Sequence, residues 1–124
     1  MTTLTKSASD AINVALTQQP LLLGRQEPRL SLIPAYRDTA GPEAIEVYEL
    51  TGNRLHDWQK FVLVNSLGER DDGRWAAFEI GLIVARQNGK DEILIARELA
   101  GLFVWDERLI IHSAHKFDTA MEHL

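Results

Sequence analysis

The chain has 124 residues, 45% of them hydrophobic and 25% charged, with a formal net charge of −5. That suits one small domain with a real core, and the acidic balance argues against a broad electrostatic grip on a phosphate backbone by this chain alone. With no cysteine, disulfides and thiolate metal sites are excluded. No apolar run approaches the roughly 18 residues of a membrane helix, and the polar start lacks a secretory pattern, so a cytoplasmic setting is expected.

Residues 1–40 read as an N-terminal arm, partly extended or flexible. Within it, residues 8–16 carry Ile12, Ala15 and Leu16 on one side, with Ser9 or Asp10 placed to cap a short helix. Pro20, Pro28, Pro34 and Pro42, with Gly24 and Gly41, then forbid long regular elements. Arg25, Arg29 and Arg37 read as solvated linker charges in preference to DNA or subunit contacts. Gly41-Pro42-Glu43 starts a helix, with Pro in the first turn and acids at its positive end, and Gly52 terminates it in the left-handed region. Leu55, Trp58, Phe61 and Val62 mark the buried face of the next helix.

Arg70-Asp71-Asp72-Gly73-Arg74 has the chemistry of a turn. Residues 75–84 then read as a strand: Phe78, Ile80, Leu82 and Val84 share one face, and Gly81 and Ile83 leave the other nearly apolar. Two apolar faces predict a central strand of a parallel sheet. Residues 92–103 form a helix too apolar for a surface position. Residues 109–112 read as a second buried strand, and a last helix carries Phe117, Ala120, Met121 and Leu124. Strand, helix and strand in this order make one right-handed crossover unit.

The junction between the first strand and its helix is Val84-Ala85-Arg86-Gln87-Asn88-Gly89-Lys90-Asp91. A loop in this position directs backbone N–H groups and a helix N-terminus at an anion, and its Lys reaches terminal phosphates. Measured against G-x-x-x-x-G-K-[ST], the stretch keeps Gly89 and Lys90; Val84 stands for the first Gly, and Asp91 for the hydroxyl residue. Alone, Lys90 reads first as an exposed loop lysine, Trp58 as core and Gln59 as a surface amide.

Arg86-Gln87-Asn88-Gly89-Lys90, preceded by Ile80-Gly81-Leu82-Ile83-Val84 and, further upstream, by Leu55-x-x-Trp58-Gln59, resembles the large terminase subunit of tailed double-stranded DNA phages. The resemblance runs from about Arg29 to the last residue and includes Ser113-Ala114-His115-Lys116 with Thr119-Ala120. It implies an α/β fold, a partial P-loop NTPase with a parallel sheet and flanking helices, truncated after its first βαβ unit. Residues 41–124 would be the N-terminal portion of the ATPase domain. In the family, the intact protein is an ATPase that packages DNA into the capsid and carries a C-terminal endonuclease domain. The implied ligands are ATP and Mg²⁺. The implied partners are double-stranded DNA, the small terminase subunit and the portal, in a ring of identical subunits with no membrane.

By resemblance, Lys90 and Arg86 are the catalytic candidates, Lys90 on the β- and γ-phosphates and Arg86 on γ-phosphate charge. Trp58 and Gln59 form the adenine-sensing element, and a Gln amide offers both a donor and an acceptor to a base edge. Gln87 and Asn88 supply backbone amides beside Gly89. Asp91 is the candidate Mg²⁺ ligand, since hard cations favour oxygen donors; the alternative is a helix-capping role at the positive end. His112 and His115 have no third metal ligand in view, and His115 with Lys116 would face DNA. Efficient hydrolysis needs an acidic pair on a later strand. Asp106-Glu107 reads as a turn instead, so this chain is expected not to hydrolyse ATP efficiently by itself. The readings kept beside the motor are a non-catalytic nucleotide- or subunit-binding prophage remnant and an unrelated small α/β interaction protein.

Overall fold

The fold was obtained as a computed structural model, which describes residues 24–86 and 88–114. Within them lie three helices and one short sheet: β1 (Asp38–Thr39), α1 (Gly41–Glu49), α2 (Asp57–Ser66), β2 (Gly68–Glu69) and α3 (Lys90–Phe103). The expected helix at residues 8–16, the last helix, and the candidates Gln87, His115 and Lys116 fall outside the described residues.

β1 and β2 pair antiparallel, Asp38 opposite Glu69 and Thr39 opposite Gly68. The pairing extends through Arg37 N–H to the Glu69 carbonyl (2.9 Å) and Ala40 N–H to the Leu67 carbonyl (3.0 Å). Thr39 fixes the entry to α1: its hydroxyl accepts from Gly41 N–H at 3.1 Å and donates to the Val64 carbonyl at 2.5 Å. Pro42 occupies the first turn of α1, with Glu43 near the positive end, as the sequence led us to expect. Gly52, at φ 94°, ends the turn after α1. A Cβ on Gly41 would lie 2.4 Å from the Val64 Cα, so only glycine lets α1 and α2 approach this closely.

The core is where the three helices meet. Ala44 and Tyr48 of α1, Leu63 of α2, and Ile93, Ala96 and Ala100 of α3 are buried together with Ala40, Leu55 and Leu67. The small alanines on α1 and α3 allow close helix contact, and their three- and four-residue spacing puts them on one stripe. The expectation that α3 is largely buried holds on one side: Ile93, Ala96 and Ala100 are buried and Ile95 and Leu99 pack against the core, whereas Leu94, Leu102 and Phe103 are exposed.

The sheet differs from the expected one. Among the described residues there is no parallel pair, and neither 75–84 nor 109–112 forms a strand. One isolated bridge joins Trp75 to Glu69. Phe78 and Ile83 are fully exposed, and Leu109 and Ile111 largely so. The strands expected there are not formed; the first segment meets β2 at its start, through that bridge and the Ala76 N–H to Gly68 carbonyl bond at 2.7 Å. The 70–74 turn forms as expected, with Gly73 at φ 78° and Arg70 N–H bonded to the Arg74 carbonyl at 2.8 Å.

A polar and aromatic cluster closes the far end of α3. The Trp75 and Trp105 rings meet edge to face at 5.3 Å, and the Arg97 guanidinium carbon stands 4.9 Å from the centroid of Trp105. Arg97 also makes a bidentate bond to Glu107, at 2.8 and 2.7 Å. This bond holds the Glu107 carboxyl below its ordinary range. Thus Glu107 belongs to a structural clamp, in keeping with the reading of Asp106-Glu107 as a turn.

Candidate functional site

The first turn of α2 is tied to both the arm and the start of α3. Gln59, three residues into the helix, is 3% exposed. Its Oε1 accepts the His56 backbone N–H at 2.7 Å, one half of a capping box. Its Nε2 donates to the Gly89 carbonyl at 2.7 Å, a bond across 30 residues of sequence. Since one partner can only donate and the other only accept, the orientation of the amide is fixed. Each end keeps spare capacity: one N–H and one lone pair. A second tie comes from the arm, where Gln26 Oε1 accepts the Trp58 N–H at 3.3 Å.

Gly89 adopts φ 79°, ψ 27° and serves as N-cap of α3. The left-handed turn needs glycine, and a Cβ there would also come within 2.9 Å of Gln59 Nε2. Gly89 therefore turns the chain into α3. Asp91 and Glu92 follow in the first turn of α3.

Between these two elements lies a cleft of about 700 Å³. Trp58 and Gln59 from α2 line one side, and Val84, Asn88 and Gly89 from the loop line the other. Gly24, Arg25 and Gln26 of the arm, with Asn53, Arg54 and His56, contribute polar edges, and Tyr48 and Glu92 complete the wall. Tyr48 Oη donates to Glu92 Oε2, joining α1 to the start of α3. Burial, aided by this bond to a carboxylate, pushes the Tyr48 hydroxyl up to about 12, so it remains a donor throughout the physiological range.

Of the candidates named from sequence, Trp58, Gln59, Asn88 and Gly89 come together here. Arg86 and Lys90 are exposed and Asp91 is half-buried, and none of the three lines the cleft wall. The lysine sits at the first residue of α3, immediately after the lining Gly89. Sequence reasoning missed Arg25, Gln26, Tyr48, Arg54, His56 and Glu92 as site residues. His56 alone left a trace, three residues before a Gln in the pattern of a capping box; the others are brought in by tertiary packing.

His112 is engaged with Glu98 of α3, Nδ1 to Oε1 at 2.5 Å. Among the described residues no group of three or more His, Asp or Glu is placed to hold a metal ion. No described helix is long and apolar enough to cross a membrane. No family model, curated protein or solved structure matches the chain.

Proposed function

We propose that this chain is the N-terminal, ATP-binding part of a terminase large subunit, the motor that packages double-stranded DNA into a phage capsid. The observation that carries the reading is the Gln59–Gly89 hydrogen bond. It joins the Leu55-x-x-Trp58-Gln59 block to the Gly89-Lys90 block in the wall of one cleft of nucleotide size. The resemblance assigns those two blocks to one ATP molecule, and a shared cleft lined by both is what the reading requires.

The chemistry of the lining fits the ligand. Trp58 offers an aromatic face, and the fixed Gln59 amide offers one N–H and one lone pair to a base edge. The N-terminus of α3, entered through Gly89, favours phosphate by its dipole and its unspent N–H groups. Lys90 is exposed at that terminus, and its flexible stem gives the ammonium reach to β- and γ-oxygens. Arg86, on the same loop, would meet γ-phosphate charge. Asp91 would hold Mg²⁺ together with phosphate oxygens, and the ion would neutralise charge on those oxygens. Two acids at the start of α3 oppose an uncompensated triphosphate, so binding depends strongly on the metal.

The uncovered apolar faces of residues 75–84 and 109–112 suit a parallel P-loop sheet built with further strands. Double-stranded DNA, the small subunit, the portal and the ring assembly belong to the same proposal. Calorimetric titration of ATP into the 124-residue chain tests it. With Mg²⁺ the expected result is saturable one-site binding that weakens at least about tenfold in Lys90→Ala, the loss of one charge-assisted contact. Equal heats from both proteins would overturn the reading.

A further inference from the structure

A carboxylate beside a phosphate-binding loop is an unfavourable neighbour, yet Glu92 is held there. A Cβ on Gly89 would lie 4.0 Å from Glu92 Cγ and 2.9 Å from Gln59 Nε2, so these two side chains flank the same loop residue. Glu92 is also the only acid among the described residues of the cleft wall. No ion pair neutralises it among the described residues, although Arg25 and Arg54 line the same cleft. Its one bonded partner in the wall is the Tyr48 hydroxyl, carried on a buried side chain of α1. An ionised carboxylate has lone pairs for several donors and Tyr48 uses one. The remaining lone pairs are open to water or to the hydroxyl or amino hydrogens of a ligand.

We propose that Glu92, held in place by Tyr48, accepts a ribose hydroxyl and makes the cleft selective for ribonucleotides over deoxyribonucleotides. The inference rests on the nucleotide reading above and adds the sugar to it. With a base on the Trp58 ring and phosphates at the N-terminus of α3, the sugar would lie in the cleft beside Gly89, where Glu92 also lines the wall. A carboxylate is the acceptor suited to ribose hydroxyls, as acidic side chains in dinucleotide sites show. Tyr48 is a positioning residue: its hydroxyl bond holds the carboxylate that meets the sugar.

The test compares Mg²⁺ complexes of ATP, 2′-deoxy-ATP and 3′-deoxy-ATP by calorimetry on the full chain, in wild type, Glu92→Gln and Tyr48→Phe. Losing a hydrogen bond to a charged acceptor weakens binding about tenfold or more, so one deoxy analogue is expected to bind at least that much more weakly than ATP to wild type. The gap should close to about twofold in Glu92→Gln and narrow in Tyr48→Phe, which keeps the buried ring. A merely structural role would lower all three affinities alike and leave the gap intact; that result overturns the proposal. Equal binding of all three nucleotides to wild type, with Lys90→Ala still weakening each, overturns the sugar assignment and spares the ATP reading. No binding of any of them to wild type overturns both.

Discussion

Replacing Gln59 by Glu separates the two jobs of its side chain. The variant keeps an oxygen for the His56 N–H, and Glu is itself a preferred residue at this capping-box position. It loses the Nε2–H donor, and sets a carboxylate oxygen against the Gly89 carbonyl in place of a 2.7 Å hydrogen bond. At 3% exposure, water cannot easily take over the lost role. An unmade bond at a buried partner costs about 1–3 kcal/mol. Extra negative charge at the start of α2 returns about 0.5 kcal/mol. The expected net loss is therefore about 1–2 kcal/mol, and Gln59→Leu, which removes both bonds, should lose about 2–4 kcal/mol. Urea unfolding followed by tryptophan fluorescence gives the stabilities. Hydrogen exchange at residues 89–92 reports whether the start of α3 loosens. The reasoning fails if Gln59→Glu matches wild type in both readouts, or if its loss equals that of Gln59→Leu.

Other consequences can be checked on the same protein. Gly41→Ala should destabilise by about 2–3 kcal/mol through overpacking, because its methyl would meet Val64 backbone; Gly24→Ala, with open space around it, should be silent in the same urea titration. Arg97→Met should cost about 1–2 kcal/mol in thermal or urea unfolding by removing the cation–π and bidentate contacts. Since Arg97 lowers the Glu107 pKa in the folded state, the clamp contributes fully above the ordinary glutamate pKa. Its contribution is lost as pH falls through the depressed folded value. The stability gap between wild type and Glu107→Gln should accordingly be widest near neutrality and shrink below about pH 4.3. ATP affinity, finally, should fall steeply when Mg²⁺ is removed with EDTA, because Asp91 and Glu92 then face the phosphates; equal affinities would contradict that electrostatic argument.

What could be read from the chain was local. Gly41-Pro42 and Gly52 bound α1 because proline and left-handed glycine constrain their own backbone. Gly89 opens α3 for the same reason. The apolar alternation at 78–84 encodes two faces that avoid water, but not which backbone pairs with them, and the described residues supply none. Half of the cleft was hidden for a different reason. Gln26 reaches Trp58 across 32 residues and Tyr48 reaches Glu92 across 44, and no periodicity relates such positions. Trp58 and Gln59 were found through a resemblance of blocks. That Gln59 itself ties one block to the other is visible only in three dimensions.

The central claim is that one nucleotide lies between the first turn of α2 and the Gly89 turn. Photolabelling with 8-azido-ATP and Mg²⁺, followed by peptide mapping, addresses that claim at the residue level. The account predicts label on the peptide holding Trp58 and Gln59, suppressed by excess ATP and reduced in Lys90→Ala. Label scattered over the exposed apolar segments, or label that excess ATP does not compete away, would contradict it.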